Sequence, residues 1–226
     1  MTLTKVTSGT ATKQGLLAAE EVNQNKLYLF MKRLMDIFGA LCGIILLSPV
    51  FIIVTILIKL EDPKGPVFFK QIRVGKGEKE FGMYKFRSMV TDAEEQLKGL
   101  LQHNEVSGAM FKMKEDPRVT KIGKFIRKTS IDELPQLLNV LKGEMSLVGP
   151  RPPLPREVEE YTSYDKQRLI VTPGCTGLWQ VTERNSVGFA EMVELDLEYI
   201  RNRSVSYDMK IIFKTIKVLL GSNNAF

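Results

Sequence analysis

The hydrophobic positions of this chain are concentrated in one segment near its N-terminus. No charged side chain occurs between Ile37 and Ile58, and this stretch is as long as the roughly 20 residues that a membrane-spanning helix needs. Ser48 and Pro49 fall in its middle, where proline bends a helix and a serine hydroxyl can satisfy the carbonyl that is freed. The pattern predicts a membrane-inserted helix over residues 27–62, broken at Ser48-Pro49.

The charges around this segment bear on whether it crosses the membrane. Cations both precede and follow it, namely Lys32 and Arg33 on one side and Lys59, Lys64, Lys70 and Arg73 on the other. Because positive flanking charges favour the cytoplasmic side, a re-entrant hairpin satisfies both ends of the segment. A straight single span with a tolerated proline satisfies only one end. The pattern alone leaves both arrangements open.

After residue 60 the chain alternates short apolar runs with polar turns, as in a soluble domain. A β-hairpin is predicted from strands at 66–69 and 81–86 around a glycine turn at 75–77. Helices are predicted over residues 92–101, 130–143, 157–169, 189–201 and 208–220. We therefore expect a mixed α/β, helix-rich catalytic body over residues 63–226, preceded by a flexible leader over residues 1–26 with some helix at 16–22.

The last predicted helix has an amphipathic pattern. Lys210, Lys214 and Lys217 fall on one face, and apolar side chains cover much of the rest. This pattern is typical of a helix lying in a membrane interface. It is equally typical of a helix that packs on a protein core and leaves a lysine edge in water.

Composition restricts the chemistry. The 226 residues, 44% hydrophobic and 26% charged, fit one ordinary domain or a domain with an appendage. The net charge of +6 favours phosphates, anionic lipids or nucleic acid as partners. The single histidine, His103, argues against a histidine-rich metal site or a Ser-His-Asp triad. Cys42 and Cys175 lie in unlike surroundings, so no disulfide is expected. Carboxylates, lysines and arginines must carry any activity.

Adjacent carboxylates and a cluster of cations come together at 124–155. Asp132 and Glu133 stand side by side, and Arg151 lies in a rigid Gly-Pro-Arg-Pro turn; the further cations are Lys121, Lys124, Arg127 and Lys128. Neighbouring side chains on a helix diverge, so one carboxylate can hold a metal ion while the other attacks phosphorus. Mg²⁺ takes oxygen ligands and keeps part of its shell from substrate phosphates. A diphosphate substrate is therefore expected.

The same residues have a structural interpretation. The sequence Ser130-Ile-Asp-Glu133 also fits a capping box, in which Ser130 and Glu133 satisfy the first amides of a helix. Taken alone, the cap is the commoner use of such a sequence.

Several blocks carry a family resemblance, in the right order and spacing. They are KRLMDIFGA before an apolar segment holding Ser-Pro, then FKQIRVGKG, MYKFRSM, IRKTSIDELPQLLNVLKGEMSLVGPRP and TPGCTGLWQV. From about residue 31 onward, the chain closely resembles the bacterial sugar transferase family, the monotopic polyprenyl-phosphate phosphoglycosyl transferases. It looks like the minimal catalytic form, without the extra membrane helices and regulatory domain of larger relatives.

The resemblance implies a reaction. Family members transfer a sugar 1-phosphate from a UDP-sugar to undecaprenyl phosphate, release UMP and thereby start a capsule, exopolysaccharide or other surface glycan. By analogy, Asp132 is the nucleophile of a ping-pong mechanism with a covalent phosphosugar, and Glu133 helps to hold Mg²⁺. The positions that match phosphate- or nucleotide-binding residues are Arg127, Arg151, Lys85 and Arg87.

The resemblance also extends to the substrate pocket and the membrane. Gln71 and Arg73 are expected to position the hairpin or a phosphate, with a structural role equally open, and the pocket residues are expected to be Pro150, Pro152, Thr176 and Gln180. The family's re-entrant helix breaks as at Ser48-Pro49 and returns to the cytoplasmic side of the bacterial inner membrane.

The family comparison also bears on the substrate sugar and on partners. The stretches 184–186 and 192–196 favour glucose or galactose. Expected partners are membrane lipids, downstream glycosyltransferases and a second copy in a homodimer, but no nucleic acid.

A non-enzymatic alternative is a basic, membrane-anchored scaffold of a glycan assembly complex. It predicts that Asp132 and Glu133 can be neutralised with no loss beyond roughly 1 kcal/mol of helix capping.

Overall fold

The N-terminal apolar segment forms two helices that meet at a sharp bend. In the computed structural model, which describes residues 17, 22–100, 102, 113, 115–182 and 188–221, α1 spans Lys26–Leu46 and α2 spans Ser48–Glu61. Their axes differ by 59°, and the Ser48 hydroxyl donates to the carbonyl of Ile45 at 2.8 Å. The predicted break is confirmed, and serine supplies the hydrogen bond expected of it. Most of the predicted leader, His103 and residues 184–186 lie outside the described residues.

Neither helix is long and apolar enough on its own to cross a membrane; within the described residues, only the bent pair together meets that test, by length and composition. The pair has one face on the body of the protein, where Ala40, Val54 and Ile58 are buried. The opposite faces expose large apolar side chains, among them Phe30, Leu34, Phe38, Leu41, Ile45 and Leu46 on α1 and Ile52, Ile53, Ile56 and Leu60 on α2. An exposed apolar surface of this extent marks an interaction site.

Charged side chains anchor α1 to the body. The buried ammonium of Lys32 lies 2.9 Å from Asp208 Oδ2 and donates to the Val148 carbonyl at 3.0 Å and to the Tyr199 hydroxyl at 3.3 Å. Arg33 donates to two carbonyls, of Val140 and Leu141, at 2.6 and 2.7 Å. From the sequence, Lys32 and Arg33 were interpreted as charges that flank a membrane segment. In the structure, both side chains instead hydrogen-bond to groups of the protein.

The predicted hairpin is present and longer than expected. Strands β1 (Phe68–Val74) and β2 (Glu80–Phe86) pair antiparallel, with Phe69 opposite Lys85 and Arg73 opposite Phe81. The turn between them contains Gly77 at φ 65°, a left-handed conformation that favours glycine. The predicted end of the first strand at residue 69 was wrong, because backbone pairing with β2 continues to Val74, which lies opposite Glu80. Arg73 turns inward and donates to the Pro152 carbonyl at 3.0 Å.

Most of the later helices agree with the sequence pattern. Helices α3 (Ala93–Leu100), α8 (Phe189–Asn202) and α9 (Val205–Gly221) confirm three predictions. The predicted helix at 130–143 is divided into a 3-10 turn, Ile131–Glu133, and α5, Gln136–Lys142, with Pro135 between them. The predicted helix at 157–169 is divided as well, into α6 (Pro155–Glu159) and a 3-10 segment, Asp165–Ile170. The described residues also form two helices that were not predicted, α4 (Lys121–Lys128) and α7 (Leu178–Thr182).

A short parallel strand pair, absent from the predictions, sits at the centre of the body. Strands β3 (Ser146–Val148) and β4 (Gly174–Thr176) pair in parallel. Val148 lies in the largest core cluster, which α8 and α9 complete with residues such as Val193, Leu197, Ile200 and Ile211. A parallel pair joins segments that are distant in sequence. The local pattern of hydrophobic residues therefore does not predict it.

The core-packing interpretation of α9 is confirmed, and the membrane-interface interpretation stays a prediction. Ile211 is buried in the core cluster, whereas Phe213 is 64% exposed beside the exposed Lys210 and Lys214. The helix therefore packs on the core with one face and presents a mixed apolar and cationic face outward.

The Lys32–Asp208 pair supplies a test of how α1 is held. Asp208→Asn leaves the ammonium of Lys32 buried without a counter-charge, so we expect the free energy of unfolding in detergent to fall by about 3 kcal/mol. The double variant Lys32→Met, Asp208→Leu should recover most of this loss. The control is Glu78→Gln, which breaks an exposed pair with Lys166 at 2.9 Å and should change stability by less than about 1 kcal/mol. A loss in Asp208→Asn no larger than in the control would contradict the anchor.

Candidate active site

The two predicted carboxylates lie in a tight turn after α4. Ser130 adopts a left-handed conformation, φ 55°, and the chain then forms the 3-10 turn that holds Asp132 and Glu133. The Ser130 side chain makes no capping hydrogen bond. The Glu133 carboxylate instead accepts from Lys85 Nζ at 2.9 Å. The capping-box interpretation is therefore wrong.

The environments of the two carboxylates push their pKa values apart. Asp132 is 8% exposed, and burial, helped by the charge of Glu133, raises its pKa to about 6 against the opposing charges of Lys85 and Arg127. Burial also raises the pKa of Glu133, but the charge and hydrogen bond of Lys85, with Arg151 and Arg73, bring it below its ordinary value. Asp132 is therefore the more basic of the two carboxylates, and Glu133 keeps its charge to lower pH. This division suits a nucleophile beside a charged partner.

Cations from three elements surround the carboxylates. Lys85 comes from β2, Arg127 from α4 and Arg151 from the loop after β3, where its Nη1 lies 3.8 Å from Glu157 Oε2. Burial, together with the charge of Arg151, lowers the pKa of Arg73 to about 10. Because neighbouring guanidinium groups repel, an anion that lies between them is favoured.

Arg87 has an ion-pair partner that was not predicted. Its Nη1 lies 2.6 Å from Asp62 Oδ2, directly after the end of α2. The pair joins the end of the broken helix to the hairpin, whereas Lys85, two residues earlier, reaches Glu133. The structure thus brings Asp132, Glu133, Lys85 and Arg127 together as predicted and gives Arg87 a structural partner.

The loop that carries Arg151 is clamped from both sides by backbone hydrogen bonds. Gly149 N–H donates to the Thr176 carbonyl and Gly174 N–H donates to the Pro150 carbonyl, both at 2.9 Å, while Val74 N–H donates to the Pro153 carbonyl, also at 2.9 Å. The loop therefore lies between the hairpin and β4. Pro150 and Pro152 are buried and shape its backbone.

The remaining predicted pocket residues have unequal surroundings. Gln71 accepts a hydrogen bond from Arg73 at 2.9 Å. The hydroxyl groups of Thr176 and of Thr215 in α9 form a hydrogen bond at 2.8 Å. Gln180 Oε1 is buried and has no hydrogen-bond partner in the described part of the chain. Gln180 is therefore the pocket residue with an acceptor still to be satisfied.

A buried ion pair that contacts the backbone of Arg151 was not predicted from the sequence. Arg168 pairs with Asp196 of α8, and it also donates to the Tyr161 hydroxyl at 2.9 Å and to the Arg151 carbonyl at 3.4 Å. Arg168 and Asp196 are 1% and 0% exposed. One signal existed in the sequence, since Asp196 falls on the apolar face that Val193, Leu197 and Ile200 define.

Asp132 and Glu133 are the carboxylates that would hold the predicted Mg²⁺, which stays a prediction. No group of three or more His, Cys, Asp or Glu side chains among the described residues is arranged to hold a metal ion. Asp132 and Glu133 therefore offer hard oxygen ligands for only part of a coordination shell. Mg²⁺ ordinarily takes one or two carboxylates and leaves its other positions to water and substrate phosphates.

A buried carboxylate, Asp132, thus lies beside Glu133, which pairs with Lys85 and lies in the electrostatic field of Arg151 and Arg73. The chain belongs to the bacterial sugar transferase family, whose family model matches residues 27–222. This membership confirms the resemblance drawn from the sequence blocks.

Three similar proteins indicate the range of the family. The chain is 53% identical over 199 residues to the galactosyl transferase CpsE of Streptococcus agalactiae, covering 88% of this chain and 44% of that protein. It is 45% identical over 201 residues to the undecaprenyl-phosphate galactose phosphotransferase of Salmonella typhimurium, covering 87% and 42%. With the exopolysaccharide production protein ExoY of Rhizobium meliloti it shares 41% over 199 residues, covering 86% and 88%. The chain thus spans less than half the length of the first two relatives and most of the third.

The raised pKa of Asp132 predicts a stabilising substitution. Because the folded state holds this proton up to about pH 6 and the unfolded chain only to about pH 4, the group lowers stability as pH rises through that window. Asp132→Asn should therefore raise the free energy of unfolding at pH 7 by on the order of 1–3 kcal/mol, and the gain should shrink toward pH 4. Glu133→Gln is the matched control and should destabilise at pH 7, because its pKa is lowered by Lys85. A loss of stability in Asp132→Asn at pH 7 would contradict the assigned burial.

Proposed function

We propose that this protein transfers a hexose 1-phosphate from a UDP-sugar to undecaprenyl phosphate and releases UMP, through a covalent phosphosugar on Asp132. The observation that carries the proposal is the pairing of a buried, basic carboxylate, Asp132, with the Lys85–Glu133 ion pair. Membership of the bacterial sugar transferase family supports the same chemistry.

The reaction divides into two displacements at one phosphorus. In the first, an Asp132 oxygen attacks the sugar-linked phosphorus, the bond to the bridging oxygen breaks and UMP leaves. In the second, a phosphate oxygen of the lipid attacks the same phosphorus, the bond to Asp132 breaks and the carboxylate is restored. The products are UMP and a lipid-linked diphosphosugar.

The surrounding residues have separate tasks in this scheme. Lys85 and Arg127 reduce the repulsion between Asp132 and the donor phosphates, and Arg151 binds the nucleotide phosphate from its clamped loop. Asp132 and Glu133 would hold Mg²⁺, which supplies further neutralisation of phosphate charge. Gln180 offers an acceptor for a donor hydroxyl or amide.

The similar proteins favour galactose among the hexoses. Two of them are named for galactose or galactosyl transfer and one for exopolysaccharide production. We infer galactose 1-phosphate, with glucose 1-phosphate as the competing cargo, and a role in initiating a capsule or exopolysaccharide. A homodimer and contact with downstream glycosyltransferases stay predictions.

The attachment of both helices supports a re-entrant arrangement in the bacterial cytoplasmic membrane. The first turns of α1 are held to the body by Lys32, and the end of α2 is held to the same body by Asp62 and by Glu61, whose carboxylate accepts from Lys121 N–H at 2.8 Å. A straight span would place these two anchors on opposite sides of the membrane. We therefore place the bend in the bilayer and the active site at its cytoplasmic surface.

A donor screen on the membrane fraction tests this function. With Mg²⁺ and undecaprenyl phosphate, UMP release should be greatest with UDP-galactose or UDP-glucose and smaller with the acetamido sugars. Asp132→Asn should lower the rate at least about 1000-fold, and Glu133→Gln and Lys85→Met by about 10- to 1000-fold. Lys166→Met, on the exposed surface, is the control and should retain full activity.

Other outcomes of the same experiments would contradict the proposal. Full activity in Asp132→Asn would rule out Asp132 as the nucleophile. No UMP release with any donor would favour the non-enzymatic scaffold. Recovery of the activity in the soluble fraction would count against the membrane placement.

A further inference from the structure

The hairpin presents an exposed aromatic side chain beside the active site. Phe69 is 38% exposed and stands opposite Lys85 in the β1–β2 register. Residues opposite each other in an antiparallel pair share a face, with their Cβ atoms about 5 Å apart. Because Lys85 reaches Glu133 at 2.9 Å, Phe69 lies on the catalytic face of the hairpin, next to the ion pair.

This face changes character along its length. Residues 69, 71 and 73 point the same way, since side chains alternate along a strand. Gln71 and Arg73 are joined by a hydrogen bond of 2.9 Å, and Arg73 lies in the electrostatic field of Arg151. The far end of the face is therefore polar and cationic, whereas the near end is an exposed phenyl ring.

The near end adjoins the broken helix. Phe68, on the other face of β1, stacks on Phe86 with ring centroids 5.3 Å apart, and Phe86 contacts Phe51 of α2 at 5.2 Å. The same helix exposes Ile52 and Ile56. The hairpin end that carries Phe69 therefore packs on α2 through its other face.

We propose that Phe69 packs against the isoprenoid units next to the phosphate of the acceptor lipid and so directs that phosphate toward Lys85 and Asp132. An exposed ring beside a cationic site, at the hairpin end that packs on the apolar helix α2, matches a ligand that joins a hydrocarbon chain to an anion. A nucleotide sugar has no such chain, and its phosphates are matched by the cationic end of the face. The inference rests on the proposed function and adds an acceptor-specific residue to it.

Separate assays of the two half-reactions test the assignment. Phe69→Ala should leave the single-turnover release of UMP without acceptor within about twofold and raise the KM for undecaprenyl phosphate by about tenfold or more. Phe69→Leu should restore most of the KM, because it keeps apolar area at this position. Ile72→Ala is the matched control, since Ile72 is 46% exposed on the opposite face of the same strand and should change neither value.

Two results would overturn the inference. One is an unchanged acceptor KM in Phe69→Ala. The other is an equal loss in both half-reactions, which would assign the ring to the nucleotide or to the fold. Failure of the wild-type protein to release UMP without acceptor would instead contradict the two-step mechanism, and the steady-state KM comparison would still decide the role of Phe69.

Discussion

The buried ammonium of Lys32 is the constraint on which the rest of this structure depends. A charge removed from water costs several kcal/mol unless it is paired and hydrogen-bonded, and the partners of Lys32 come from β3, α8 and α9. Closing this network fixes the first helix against the body. It also fixes the active site, because Val148, which accepts from Lys32, ends β3 and the loop that carries Arg151 begins at the next residue. The contacts that anchor the apolar helix α1 therefore also help to position Arg151 at the site.

The second helix is coupled to the site in a similar way. Glu61 accepts from the first amides of α4, at 2.8 and 3.3 Å, and α4 carries Arg127 toward Asp132. Asp62 holds Arg87, directly after the strand that supplies Lys85. Both helices of the bent pair are therefore attached to elements that present a cation to the carboxylates. In the proposed reaction this arrangement brings a lipid phosphate and a soluble nucleotide to one aspartate without moving the site away from the membrane surface.

The sequence predicted features that local chemistry determines. Ser48 and Pro49 break a helix wherever they occur in an apolar run, and Asp132, Glu133 and Arg127 lie within six positions of each other. Features that depend on distant partners were not predictable. The capping box was wrong because Lys85, 48 residues away, binds Glu133. The first strand was predicted too short because Arg73 finds its hydrogen-bond acceptor at Pro152, and the pairing of Arg87 with Asp62 was not predicted. The β3–β4 strand pair and the Arg168–Asp196 ion pair likewise join residues that are distant in the sequence, and the periodicity of hydrophobic positions does not indicate such pairings.

The central claim is that Asp132 carries the phosphosugar. Its carboxylate is buried, has a pKa of about 6 and stands beside a lysine that neutralises its neighbour. The most direct measurement is the intact mass of the protein after incubation with Mg²⁺ and UDP-galactose in the absence of acceptor, followed by peptide mapping. A covalent mechanism predicts one added hexose phosphate on the peptide that contains Asp132, lost on addition of undecaprenyl phosphate. UMP release without any adduct, or an adduct on a different residue, would contradict it.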